Sequence, residues 1–164
     1  MPTAYVEVYE EEFERLEQAL RRLRYDSNAK AVFLIDKNGQ QIAAVGDVDE
    51  FDTTSLASLT AGNVAATDGL AKLIGEREFS VLFHEGQRDH IHISIVARRA
   101  ILLVIFDERS SLGLVRLRVK RASAEMDESV EDMNRKESRG PGGQVETSPF
   151  SEITDEDIDS LFGD

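Results

Sequence analysis

The chain contains 164 residues, of which 41% are hydrophobic, so its length suits about one domain and its composition suffices for an apolar core. The formal net charge of −13 argues against binding to nucleic acid or anionic membranes, because both attract clustered Lys and Arg. Cysteine is absent, which excludes disulfides, thiol nucleophiles and thiolate metal sites.

The N-terminal region has the pattern of an amphipathic helix and not of a leader peptide. It lacks a basic segment followed by an apolar one, and the longest apolar run, residues 100–106, is far too short to span a bilayer. We therefore expect a soluble, cytoplasmic protein. Apolar residues recur at spacings of three and four, with acidic residues early and basic residues late, as the helix dipole favours. These apolar residues are Tyr9, Phe13, Leu16, Leu20 and Leu23.

Two short apolar runs predict a β-hairpin. They span residues 31–35 and 42–45, and the connection between them contains Asn38 and Gly39. Because Asn-Gly tolerates two successive positive φ angles, the connection is predicted to be a type I′ turn.

The next segment, residues 52–76, predicts a helix with two different faces. One stripe carries larger apolar residues, which we expect to face a sheet: Leu56, Leu59, Ala66, Leu70 and Leu73. The other face is a ridge of small residues: Thr54, Ala57, Ser58, Ala61, Ala65 and Gly69. A solvated face would favour Glu, Lys and Gln, so the ridge predicts the close approach of another protein. Close packing inside one domain is the alternative.

Three further strands and a helix complete the predicted domain. The strands span about residues 79–84, 90–97 and 100–107, and their short connections predict an antiparallel meander. A third helix opens at Ser110 or Ser111. Its apolar stripe consists of Leu112, Val115, Val119, Ala122, Met126 and Met133.

These elements predict an α+β fold in the order α-β-β-α-β-β-β-α, with a five-stranded antiparallel sheet between helices. We assign residues 5–136 to this domain. Residues 137–148 are rich in Gly, Pro and polar side chains and predict a flexible linker, which leaves residues 149–164 as a separate acidic segment.

The acidic segment has the sequence pattern of a short amphipathic helix. Thr154 can cap a helix whose third position is Asp157, and Ile153 can pack on Ile158. We predict a docking segment that folds when bound, because so short a helix is marginal in water. Its apolar anchors are Phe150, Ile153, Ile158, Leu161 and Phe162. A purely solubilising acidic tail is the alternative.

No motif for catalysis or cofactor binding is present. The phosphate-binding patterns GxxxxGK[ST] and GxGxxG and the nucleophile pattern GxSxG are missing, so we expect no catalytic residue and no cofactor. A hairpin centred near Gln87 could bring together His84, His90 and His92 as zinc ligands. Polar residues beside a hairpin tip usually face water, so we expect no metal site there.

A cluster of cations marks the third helix. It consists of Arg116, Arg118, Lys120 and Arg121. The simpler interpretation is a solvated helix face. The cluster could also meet an acidic partner or the acidic segment of this chain.

Several contiguous motifs resemble the Roadblock family. They are FLIDKNGQ (residues 33–40), DTTSLASLTAGNVAA (52–66), GLAKLIGE (69–76), FHEG (83–86) and VIFDERSSLGLVRLRVKRAS (104–123). The resemblance extends over nearly all of residues 5–124. The terminal SPFSEITDEDIDSLF also resembles the tail of one branch of that family, whereas the linker region does not.

The resemblance implies a homodimer whose sheets join edge to edge and whose central helices lie side by side. That platform would bind a small Ras-like GTPase of the MglA type, with two protomers per GTPase. The protein would activate the GTPase and help to set cell polarity for motility, located at a cell pole, while the tail could promote nucleotide exchange. The ridge and two charged neighbours are the predicted partner-binding residues: Thr54, Ala57, Ser58, Ala61, Ala65, Asp68, Gly69 and Lys72.

The predicted activator would work without an arginine finger. Residues 52–76 contain no Arg, and Lys72 is their only basic residue. Activation would then be indirect, because docking would select a GTPase conformation in which the GTPase's own residues reach the γ-phosphate and the water. The protein would be a regulator and not an enzyme. A Roadblock scaffold that dimerises and localises a GTPase without changing its turnover is the alternative, and a metal enzyme using the histidines is a third possibility.

Overall fold

The helices and strands follow one another in the predicted order. The computed structural model describes residues 3–96 and 100–138, with side chains described for residues 10–96 and 100–128. A single 3₁₀ turn, Val48–Glu50, precedes the second helix. The elements are α1 (Thr3–Ser27), β1 (Ala31–Asp36), β2 (Gln41–Gly46), α2 (Thr53–Leu73), β3 (Val81–His84), β4 (His90–Val96), β5 (Ala100–Phe106) and α3 (Leu112–Ser138).

The five strands form one antiparallel sheet in the order β2-β1-β5-β4-β3. Every residue of β1 and β5 is buried, because these strands lie in the middle of the sheet with helices on both faces. Helices α1 and α3 pack on one face and α2 packs on the other. The predicted sheet between helices is therefore confirmed.

The predicted stripes of α1 and α3 form one core with the sheet. In α1, Leu16, Leu20 and Leu23 are buried, whereas Phe13 is partly exposed. The α3 stripe is buried at Val115, Val119, Ala122 and Met126. The side chains of Tyr9 and Met133 lie outside the described residues.

The predicted type I′ turn between β1 and β2 is wrong. Gly39 has a φ of 90°, but Asn38 does not have a positive φ, and a type I′ turn requires two such residues. The side chain of Asp36 instead organises the loop, because its Oδ1 accepts hydrogen bonds from the backbone N–H groups of Asn38 and Gln40 at 3.0 and 2.9 Å. Such side-chain bonding to the backbone competes with the turn that the Asn-Gly pair favours.

Both ends of α2 follow from local sequence. At the start, the side chain of Asp52 accepts a hydrogen bond from the backbone N–H of Ser55. At the end, Gly75 has a φ of 81° and the N–H of Glu76 donates to the carbonyl of Ala71 at 2.8 Å, which is a Schellman motif. The helix therefore ends at Leu73.

Helix α3 begins as predicted, since Ser111 Oγ accepts a hydrogen bond from the N–H of Leu114 at 3.2 Å. The helix ends at Ser138, two residues inside the span predicted as linker. Residues 139–164, including the predicted docking segment, lie outside the described residues. Among the helices that are described, none combines the length and apolar composition that a membrane crossing requires.

Candidate functional site

Two small residues of the ridge on α2, Ala57 and Ala61, face the sheet, which is the opposite of their predicted orientation. Ala57 is only 2% exposed, and with Ala61 and Val64 it packs on the sheet face that carries Phe33 and Leu103. This sheet face presents large side chains: Phe33, Ile35, Ile93, Ile101, Leu103 and Ile105. Small residues on the helix let its backbone approach these side chains closely, so packing within the domain explains the inward side of the ridge.

The leucines of α2 point into solvent. Leu59 is 74% exposed, Leu70 is 59% exposed and Leu73 is 83% exposed, so their predicted burial against the sheet is wrong. Ala66 is also exposed, and Leu56 is half-buried. A row of large exposed leucines on one helix face is an apolar surface that solvent alone does not favour.

Glycines interrupt this apolar surface. A Cβ atom added to Gly62 or Gly69 would meet no other atom within 4 Å. Each glycine costs roughly 1 kcal/mol of helix stability relative to Ala. Small residues between large ones allow a second backbone to come close, so the exposed side of α2 has the surface that helix-to-helix packing uses.

The eight predicted partner-binding residues separate into two groups. Thr54, Ser58, Gly69 and Lys72 are exposed, and Ala65 is half-buried. Ala57, Ala61 and Asp68 are buried, so the prediction that they present an outer surface is wrong. The ridge spans too wide an arc of the helix for all of its members to avoid the sheet.

Electrostatics agree with the inward position of Asp68. Loss of solvent raises the pKa of its carboxyl group above the usual value, although nearby Lys37 and Lys72 partly oppose this change.

The β1-β2 loop lies against one side of α2. Lys37 belongs to this loop, and a Cβ at Gly39 in the same loop would lie 3.2 Å from the Cα of Ser58. One margin of α2 is therefore flanked by the hairpin.

The other margin of α2 approaches strand β3, which is at the edge of the sheet. Asn63 Nδ2 lies 3.0 Å from His84 Nε2 and joins the helix to this strand. Val81 on β3 and Phe79 just before it are partly exposed, and Ile74 at the end of α2 is exposed. The exposed leucines therefore continue into an open strand edge, which can accept a further strand.

The three histidines do not form a metal site. His84 hydrogen-bonds to α2, whereas His90 and His92 lie on the opposite face of the sheet, where His92 pairs across the strands with Phe83. Within residues 3–96 and 100–138, no group of three potential His, Cys, Asp or Glu ligands could hold a metal ion.

His92 is a buried histidine without a hydrogen-bond partner. It is 1% exposed, and both ring nitrogens lack a partner among the described residues. Burial, and to a lesser degree the charge of Arg116 on α3, lowers the pKa of His92 below the usual value of 6.5. The folded protein therefore favours the neutral ring.

We expect His92 to make the protein less stable in mild acid. Because the pKa is lowered in the folded state, the unfolded chain binds the proton first, and stability is lost as the pH falls through about 6.5. Urea unfolding at pH 7.5 and 5.5 should show a smaller loss of stability for His92→Leu than for the parent. His84→Leu, at an exposed position, is the control and should retain the parent's loss, whereas equal losses in all three proteins would contradict the assignment to His92.

The comparisons with known proteins agree with this fold. A family model described as Roadblock/LC7 domain matches residues 15–106. Among solved structures, the chain is similar to MglB of Myxococcus xanthus, with 58% identity, a TM-score of 0.69 and coverage of 71% of this chain and 95% of that chain. It is also similar to the gliding protein MglB of Thermus thermophilus, with 34% identity, a TM-score of 0.70 and coverage of 74% of this chain and 92% of that chain.

A third solved structure, described as MglB with tetrameric arrangement, has 33% identity, a TM-score of 0.69 and coverage of 74% of this chain and 91% of that chain. A comparison with curated proteins gave no match. The matched family region runs from the middle of α1 to the end of β5 and so includes the whole sheet and α2. The chain therefore belongs to the Roadblock/LC7 family, and within that family it groups with the MglB proteins.

Proposed function

We propose that the protein is a homodimeric activator of a small Ras-like GTPase of the MglA type. The observation that carries this proposal is the exposed leucine face of α2 with its interspersed glycines. Burying one leucine side chain contributes about 1.5–3 kcal/mol, so a two-fold contact that covers several leucines from each copy can hold a dimer. The adjoining edge of β3 would extend the contact from sheet to sheet.

The GTPase would bind the margin of α2 that borders the hairpin. Thr54, Ser58, Gly69 and Lys72 are exposed, and their spacings of three, four and eleven residues place them along one side of the helix. Short side chains there would let a GTPase surface approach the backbone, while Lys72 would supply a positive charge. In a dimer with paired α2 helices, two such margins would face one GTPase.

Stimulation of hydrolysis would be indirect. No Arg occurs in α2, so this surface cannot place a guanidinium beside the γ-phosphate. Docking would instead stabilise the GTPase conformation in which its own catalytic residues reach the phosphate and the attacking water. The protein would thereby regulate the timing of GTP hydrolysis in a polarity system for motility, with a location at a cell pole.

A single-turnover GTP hydrolysis assay with an MglA-type GTPase tests the proposal. We expect faster hydrolysis with the protein, and the stimulation should persist when Arg77 or Arg88, both exposed, is replaced by Ala. An arginine finger is worth about 10³–10⁵ in rate, so its loss would be evident in such variants. Binding without any change in the hydrolysis rate would favour the non-catalytic scaffold instead.

The acidic segment would contact a second surface of the bound GTPase and promote nucleotide exchange. The support is its sequence, in which Phe150, Ile153, Ile158, Leu161 and Phe162 alternate with carboxylates. Truncation after Thr147 should leave the dimer and the stimulation of hydrolysis intact while slowing the release of a fluorescent nucleotide or weakening GTPase binding. Unchanged release and unchanged binding, also in the Leu161→Ala, Phe162→Ala variant, would contradict this role.

A further inference from the structure

The first half of α3 carries a concentration of positive charge for which the described part of the chain provides no ion-pair partner. Arg116, Arg118, Lys120 and Arg121 lie within six residues, and none of them forms an ion pair with a described residue. Other arginines of the same chain do have partners, such as Arg22 with Glu125 at 2.7 Å and Arg109 with Asp107 at 3.0 Å. In a chain of net charge −13, four cations without a local partner are unexpected.

The spacing of these cations opposes folding. Arg116 and Lys120 are four residues apart and Arg118 and Arg121 are three apart, so like charges are neighbours on the helix surface. In addition, Arg118 Nε is buried and has no hydrogen-bond partner among the described residues. Unpaired buried donors and adjacent like charges both cost stability, and a bound anionic group would remove both costs.

A hollow between α1 and α3 accompanies the cations. It has a volume of about 150 Å³, and the residues that line it include the cations Arg22, Arg118 and Arg121 and the apolar residues Ala19 and Leu23. Ala122, Asp26 and Glu125 also line it. On the outer side of α3, Leu117 is exposed between the cations. The face thus combines apolar contact points with positive charge, which suits a ligand that alternates large apolar side chains with carboxylates.

The C-terminal sequence of this chain has that composition. Residues 149–164 contain six acidic and no basic residues, and five large apolar side chains are spaced among them. We infer that this acidic segment docks on the face of its own chain formed by α1 and the first half of α3. Its carboxylates would pair with the four cations of α3, and an apolar side chain such as Phe162 would cover the hollow.

The connection is long enough for this arrangement. Helix α3 ends at Ser138, and residues 139–148 form a ten-residue connection that can span up to about 33 Å when extended. The helix rises about 1.5 Å per residue, so Arg121 lies roughly 25 Å back along the axis from Ser138. The segment can therefore return along α3, and its attachment gives it a high effective concentration at that face.

The consequence is a second position for the acidic segment. The face of α1 and α3 lies on the opposite side of the sheet from α2. A segment held there is withdrawn from any partner on the α2 side. Self-docking does not depend on the proposed GTPase contact, so either proposal can fail without the other.

Fluorescence energy transfer in the full chain tests the docking, since the chain has no Trp and no Cys of its own. Phe162→Trp supplies the donor, and Ala124→Cys on the exposed side of α3 carries a dansyl acceptor. We expect strong transfer at low ionic strength and its loss at 1 M salt, where the Debye length is about 3 Å. The variant Lys120→Glu, Arg121→Glu should lower the ratio of docked to free segment by about tenfold, because weak attractions become repulsions.

Two further variants, a check of the fold and a mixing experiment test whether the transfer reports docking on this face. Arg77→Glu, Arg88→Glu reverses two exposed cations that lie outside α1 and α3 and should leave transfer unchanged, while Asp155→Lys, Asp157→Lys should restore transfer to the α3 reversal variant. Circular dichroism should be the same for all variants. Transfer that is absent from the parent, or insensitive to the α3 reversal, would overturn the proposal. Transfer that falls when labelled protein is mixed with excess unlabelled protein would also overturn it, because the segment would then sit on another copy.

Discussion

The double substitution Leu70→Asp, Leu73→Asp should convert the protein from a dimer to a monomer at micromolar concentration. Both side chains are largely exposed on α2, so the isolated fold loses little when they change. In the proposed dimer each copy would contribute both leucines to a two-fold contact, and each buried leucine is worth about 1.5–3 kcal/mol. Replacing them with buried carboxylates should weaken dimerisation by at least about a hundredfold.

Light scattering coupled to gel filtration measures this effect directly. The matched control is Leu117→Asp, since Leu117 is 62% exposed but lies on α3, on the other side of the sheet. That variant should remain a dimer. A monomeric parent, or a double variant that stays dimeric, would contradict the role of the leucine face.

The substitution Gly69→Arg should abolish GTPase binding while the fold persists. Gly69 is exposed and has open space where its side chain would lie, so the free protein can accommodate Arg. Arg is also the better helix former by up to about 1 kcal/mol. At a closely packed interface, however, a long charged side chain would separate the surfaces, and we expect affinity to fall by at least about a hundredfold.

A fluorescence titration with a GTPase bound to a non-hydrolysable nucleotide tests this result, with circular dichroism and mass measured in parallel. Gly113→Arg is the matched control, because Gly113 also lies in a helix with open space around it, but on α3. It should bind like the parent. If Gly69→Arg also binds like the parent, the GTPase uses another surface.

Local sequence was sufficient to predict most of the architecture. The β1 and β5 runs are apolar because both faces of these strands are covered, and the stripes of α1 and α3 repeat at helical spacing because only one side of each helix meets the sheet. The start of α3 also follows from a local signal, the Ser111 cap. These features depend on neighbours in sequence, which is why periodicity and capping predicted them.

Other local features were decided by competing contacts. The Asn-Gly pair favours a type I′ turn, but the carboxylate of Asp36 binds two backbone N–H groups and holds a different loop. The three histidines are close in sequence, yet the alternation of side chains along the strands places His84 on the opposite face from His90 and His92. Proximity in sequence therefore did not determine which of the three histidines lie on the same face of the sheet.

The orientation of α2 was decided only by the tertiary structure. The helix is apolar on two sides, so its periodicity identified a leucine side and a small-residue side without determining which one faces the sheet. The sheet already carries large side chains such as Phe33 and Leu103, and Ala57 and Ala61 fill the limited space above them. The sequence alone thus determined the elements, their order and the presence of two unusual helix faces. Only the packing of α2 on the sheet decided that the leucines remain outside, where they can meet another protein.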